Sequence, residues 1–178
     1  MITLDTASNH LGDDDIYTGK WGNYVYYGLL QFSVGGLPAD ARVESAELVL
    51  HTQTREYVDD GAWQMQLLGP QVDAGFPGIT FPQADTAPVL GPVGDPIPVA
   101  AIAPAGGANV VTLSAERLAD LQARITTTGK VSLRIDGPPA DGMTYSMQSW
   151  DSGYGYGGLG PDYKPVLRLR FLTALGEP

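Results

Sequence analysis

"LLQFSVGGLPADARVESAELVL", residues 29–50, decides the fold. Leu30, Phe32 and Val34 recur at every second position, and so do Ala46, Leu48 and Leu50, with Glu47 and His51 in the opposite phase. A period of two sends alternate side chains to opposite faces of an extended chain, one buried and one wet. Between the runs, "GGLPADA" holds the Gly and Pro residues that turn a chain back on itself. The stretch is predicted to be two strands joined by a turn.

The same alternation recurs along the chain. Trp63, Met65 and Leu67 alternate with Gln64 and Gln66; Val131, Leu133 and Ile135 alternate with Ser132 and Arg134. Tyr145, Met147 and Ser149 alternate with Ser146 and Gln148; Leu167, Leu169 and Phe171 alternate with Arg168 and Arg170. Short alternating runs set apart by 23 glycines and 14 prolines are the mark of an antiparallel all-β domain. The predicted fold is an antiparallel β-sandwich with jelly-roll-like topology, one domain over residues 1–178. Its predicted core is Leu30, Phe32, Leu48, Leu50, Met65, Leu133, Ile135, Leu167 and Leu169. One short helix is expected after Ser114, with Leu118, Leu121 and Ile125 on one stripe and Gly129 as its stop. Residues 72–107, rich in Pro and Gly, are expected to form a long loop with a strand near Ile79.

Composition narrows the function. The 178 residues carry a formal charge of −10, from 20 acids, 15 of them Asp, against 10 scattered Lys and Arg. A nucleic-acid or anionic-lipid surface needs clustered cations, so neither partner is expected. The chain has no cysteine, hence no disulfide framework and no thiolate metal site. No apolar run approaches the ~18 residues of a membrane span. The opening "MITLDTASNHLGDDD" lacks the basic and apolar regions of a signal peptide, so the start is expected to be native or trimmed.

The order of the pieces carries a resemblance. "LDTASNHLGDDDIYTG" precedes residues 29–50; "FPGITFPQADTAP", "NVVTLSAERLADLQARI" and "GKVSLRI" follow; "YSMQSWDS" and "KPVLRLRF" close the chain. The series resembles the extracellular β-sandwich modules called DNRLRE domains, close to carbohydrate-binding modules of family 96. The likeness spans nearly the whole chain and is best over Leu29 to Leu50. Gln31 stands where the family pattern has Arg, Phe81 where it has Trp, and "WDSGYGYGGLGPDY" replaces its late Ser-x-Glu ending. The resemblance therefore implies the fold and leaves the ligand residues open.

Motifs for chemistry are few. "GYGGLG", residues 155–160, matches G-x-G-x-x-G, but Pro161 and a strand-like run follow it instead of the helix a dinucleotide site needs. There is no G-x-S-x-G elbow, and His10 and His51 lack metal-ligand spacing. No catalytic residues are predicted and no enzymatic activity is expected. No cofactor is expected either, unless Asp13 and Asp15, beside Asp14, hold a calcium ion; a solvated acidic loop is the plainer reading.

Aromatic residues gather in "KWGNYVYYG" (Trp21, Tyr24, Tyr26, Tyr27) and in "WDSGYGYGGLGPDY" (Trp150, Tyr154, Tyr156, Tyr163). Tyr and Trp offer flat amphipathic area at small entropic cost. The late stretch is expected to be a contact loop between protein subunits, with Trp150, Tyr154, Tyr156, Leu159, Tyr163 and Trp21 as its surface. The function expected is a non-catalytic structural module of a particle or filament, foremost a bacteriophage virion protein, in a virion or at an extracellular surface. The competing expectation is a carbohydrate-binding or adhesive module for polysaccharide, with Asp151, Asp162 and Asn23 as platform-edge groups.

Overall fold

The computed structural model describes residues 2–5, 9–11, 13–38, 40–56, 60–76, 78–138, 145–154 and 157–173. In chain order the strands are β1 (Ile2–Asp5), β2 (Asn9–Leu11), β3 (Asp15–Trp21), β4 (Tyr24–Ser33), β5 (Arg42–Glu56), β6 (Ala62–Leu68), β7 (Val89–Pro92), β8 (Ile97–Pro98), β9 (Ala108–Thr112), β10 (Lys130–Asp136), β11 (Tyr145–Asp151) and β12 (Val166–Leu172). The helices are α1 (Gln71–Gly75), α2 (Phe81–Asp85) and α3 (Ala115–Thr126). Every strand pairing among the described residues is antiparallel. The antiparallel, β-dominated architecture is the one the alternation predicts.

The strands form one continuous sheet in the order β12-β5-β11-β3-β4-β10-β6-β7, with β1 on β4, β8 on β6 and β9 on β5. The sheet curls into a half-barrel. The curl begins in β5. Its residues 42–49 pair with β12 and residues 47–51 with β9, whereas residues 52–56 pair with β11. The register shifts between Ser149 and Trp150, so Gln53 is the extra residue of a bulge. A bulged strand that changes partners turns a corner. Ala46, Leu48, Leu50 and Val111 thereby meet Leu30, Trp63, Met65, Leu133 and Ile135 in one core. Gly28 lets the layers touch: a Cβ there would lie 2.7 Å from Ile16 Cγ2 and 2.9 Å from Thr18 Cγ2.

Six of the nine predicted core residues are fully buried, and Phe32, Leu167 and Leu169 pack half-buried against them. The predicted helix is α3: the Ser114 side chain accepts from the Arg117 N–H, and Gly129 N–H returns to Arg124 O at 2.8 Å. Leu121 and Ile125 are buried and Leu118 is half-buried.

Five expectations need correction. Residues 72–107 are not a loop; they contain most of α1, then α2, β7, β8 and a single 3-10 turn at Val99–Ala101, so α3 is not the lone helix. Ile79 is not in a strand but leads into α2, where Thr80 N–H donates to Gln83 Oε1 at 2.8 Å. These short helices cover the outer face of β4 and β10, forming a second cluster of Leu29, Leu68, Val72, Ile79, Ala84 and Ala87. Ser132 and Arg134, on that face, are therefore buried rather than wet. On β11 Ser146, Gln148 and Trp150 are all buried, whereas Tyr145 is 44% exposed and, on its face, only Ser149 and Asp151 are buried. Trp150 has the largest area to bury and sets the phase; its Nε1–H donates to Thr18 Oγ1 at 3.0 Å. At the end of β12 Phe171 is exposed instead of inward, as is Leu172, opposite the β5 bulge that leaves Glu44 as its extra residue.

Candidate functional site: an aromatic sheet face ending in a carboxylate recess

Gly22, with φ 59°, and Asn23 close a two-residue turn that sets Trp21 opposite Tyr24. On the other side of β3, β11 sets Tyr145 opposite Trp21. Cross-strand partners share a face, so Tyr24, Trp21 and Tyr145 stand in a row across β4, β3 and β11. Trp21 and Tyr145 meet edge to face with centroids 4.8 Å apart, and Tyr24 and Tyr145 are 46% and 44% exposed. Two residues along, Tyr26 and Met147 flank Gly19. Gly19 has φ 112°, and a Cβ there would lie 2.0 Å from Ser146 O, so no side chain can fill the centre of the face. Tyr17 follows, edge-on to Tyr26 at 6.2 Å. At the far end Asp15 lies opposite Asp151. Six steps of β3 span about 20 Å.

There the face meets a recess of about 330 Å3 lined by Asp13, Asp14, Asp15, Tyr17, Gln53 and Gly157. The described residues of the loop after β11, 151–154 and 157–163, are built onto these aspartates. Asp151 is fully buried; its Oδ1 accepts from Gly153 N–H at 2.7 Å and its Oδ2 from Leu159 N–H at 2.5 Å. Asp14 Oδ2 accepts from Gly157 N–H at 2.7 Å, and Ser152 Oγ–H donates to Asp13 O at 2.7 Å. Gln53, turned by the bulge, donates Nε2–H to Gly157 O at 2.9 Å. Asp15 is the perturbed acid: burial first, then the charges of Asp14, Asp151 and Asp13, raise its carboxyl from 3.8 to about 6, against a lowering hydrogen bond with Tyr17. The recess can hold a proton up to about pH 6, and its oxygens can accept from hydroxyl or amide donors.

The predicted contact residues separate. Trp150 is fully buried and cannot belong to a surface: it fills the core between β3 and β11. Tyr154 and Leu159 are 57% and 43% exposed on the loop. Tyr163 is half-buried, its ring edge-on to His51 at 5.3 Å and its carbonyl 2.9 Å from His51 Nδ1. Trp21 sits in the aromatic row; Tyr156 lies outside the described residues. Tyr27 faces the other way, stacked on Phe81 at 5.1 Å beneath the Arg134 guanidinium. Asn23 is exposed in its turn and Asp162 on the 3-10 turn Pro161–Tyr163, which also occupies the place where a dinucleotide site would need a helix. Of the calcium candidates, Asp13 Oδ2 lies 3.0 Å from His10 Nδ1 and Asp15 faces the recess; among the described residues no cluster of three or more His, Cys, Asp or Glu is arranged to hold a metal. Tyr145 and Tyr17 escaped the sequence reading, because only strand register places them beside Trp21 and Tyr26.

No family model matches the chain, and no curated protein matches it significantly.

Proposed function

We propose that the protein is a non-catalytic interaction module of a particle or filament, such as a bacteriophage virion or an extracellular assembly, and that it binds neighbouring subunits through the aromatic face of β3, β4 and β11. The observation that carries this reading is the row Tyr24–Trp21–Tyr145, held on paired strands with both tyrosines exposed and Trp21 half-buried between them. Rigid aromatic area loses little entropy on binding, and monomers rarely leave such patches open. Tyr154 and Leu159 extend the contact on the loop side. The resemblance to DNRLRE modules belongs to this reading. So does a jelly-roll-like sandwich, since the inner side chains of β12, β5 and β9 face those of β4, β10 and β6.

A second reading is favoured by one feature: the aromatic face ends in carboxylates. Stacking rings beside hydroxyl acceptors suit a polysaccharide. The double variant Tyr24→Ser with Tyr145→Ser separates the two. Sedimentation velocity and negative-stain microscopy of the native chain should show oligomers or particles that the variant loses at unchanged melting temperature. A monomeric native chain that gives glycan-array hits, lost in the variant, transfers the face to the polysaccharide reading. A monomer without glycan hits refutes both.

A further inference from the structure

The curled sheet stops short of closing, and the reason lies in two prolines. Between β9 and the segment from Asp95 to Ala101 runs a slot of about 360 Å3. One wall is β9, which among the described residues pairs with β5 alone. The bonds Leu113 N–H to Ala46 O and Thr52 N–H to Gly107 O fix its phase. Antiparallel pairs alternate between bonded and unbonded, so Asn109 and Val111 turn their N–H and C=O groups to β5. Ala108, Val110 and Thr112 turn theirs away from β5, into the slot. The facing wall has the opposite character. Val99 N–H donates to Gly61 O, and Ile97 pairs with Trp63, so Ile97 is bonded to β6. Pro96 and Pro98 are left to face β9, and proline has no N–H. That wall offers carbonyls only, which is why β8 and β9 stay apart and the half-barrel remains open.

The slot is short and fixed at both ends. Ser114 N–H donates to Val93 O at 2.8 Å at one end, where a Cβ on Gly94 would lie 2.2 Å from Thr112 O. Ala103 N–H donates to Asn109 Oδ1 at 2.9 Å at the other. Walls on both sides admit a single chain and exclude the edge of another sheet, which would bring its neighbouring strand with it. Val110 is 49% exposed, and Asp95 is the one charged residue in the lining.

We propose that this slot is a strand-addition site for one short, extended, uncharged peptide segment of a partner protein, with a Lys or Arg beside it facing Asp95. The segment bonds to Ala108 and Val110 through both donors and acceptors, as in β-augmentation. It donates to the Pro96 and Pro98 carbonyls on its other side. The site is separate from the aromatic face and does not rest on its function.

The test is selection of a displayed random octapeptide library on the full chain, followed by amide NMR with the enriched peptide. Enrichment of peptides with an uncharged β-branched run next to Lys or Arg is expected, with shifts at the Ala108 and Val110 amides. Val110→Pro removes the outward N–H and leaves the β5 ladder intact; it should weaken the peptide at least tenfold at unchanged melting temperature. Val110→Lys, which crowds the slot and keeps the backbone, should do the same if the proline variant misfolds. Tyr24→Ser with Tyr145→Ser should bind the peptide normally. The proposal falls if no peptide is enriched, if enriched peptides bind a folded Val110 variant as well as the native chain, or if the shifts map to β3 and β11.

Discussion

Asp15 shows how far a single residue can be read. Its position in an acidic run is plain from sequence, but its environment is not, because Asp151 reaches it only through the β3–β11 register. Its carboxyl is raised from 3.8 to about 6, chiefly by burial. Between those values the folded protein keeps a proton that the unfolded chain has released. Stability therefore falls as pH rises through that window, and the penalty is complete above about pH 6. Asp15→Asn carries no charge and should remove this slope. Thermal melts of the native chain and the variant from pH 4 to pH 7 should thus diverge, the native losing melting temperature relative to the variant. Parallel curves would mean that the carboxyl is not perturbed. Trp150 makes the same point in another way. Its neighbours in sequence suggest an exposed loop aromatic, yet Thr18 Oγ1 lies 3.0 Å from its Nε1 and the ring is buried. A tryptophan at the end of an alternating run reads equally well as the last core residue or the first loop residue, and only the acceptor on β3 decides.

Among the elements, regular strands were legible and irregular ones were not. Alternation located β4, β5, β6 and β10, because one face of each packs on a shared core. It failed on β11, where Trp150 sets the buried face against Tyr145 and Met147, and at the end of β12, where Phe171 and Leu172 are both exposed opposite a bulge in β5. It missed α1 and α2 because five-residue helices offer too few turns for a period to show. In the glycine-rich loop after β11, residues 153–154 and 157–160 are organised by Asp151. That buried carboxylate caps the N–H groups of Gly153 and Leu159, and Gly160, with φ 114°, starts the turn into β12. Asp151→Ala would leave two backbone donors without their acceptor, a cost of about 1–3 kcal/mol. Limited proteolysis should then cut the variant between Gly153 and Gly160 faster than the native chain, with β12 still paired to β5. Equal cutting rates would show that the carboxylate does not hold the loop.

At the scale of the whole molecule, the sequence showed an antiparallel all-β domain but not the curl. The curl depends on partner exchange along β5 and on Gly28, neither of which leaves a periodic trace. It also leaves the β4–β10 layer sandwiched between two apolar clusters, one inside the curl and one under α1 and α2. Asp73, 2% exposed, ties the outer cluster down. Its Oδ2 accepts from Arg124 Nη1–H at 2.5 Å and from Thr128 Oγ1–H at 2.8 Å, and its Oδ1 from Ser132 Oγ–H at 2.8 Å. Arg124 also donates to Leu68 O, so α3 and β10 converge on this α1 carboxylate, and β6 joins them through the guanidinium. Asp73→Ala removes the partner of a buried guanidinium, which costs about 3–5 kcal/mol. The loss should fall first on the α1–α2 layer, whose own helices are too short to persist unaided. In the native chain, urea unfolding followed by tryptophan fluorescence, dominated by buried Trp63 and Trp150, should coincide with far-ultraviolet dichroism. In the variant, hydrogen exchange should show residues 71–87 losing protection at urea concentrations where β10 remains protected. If both regions lose protection together in the variant, the outer layer is not an addition held by Asp73 but an inseparable part of the core.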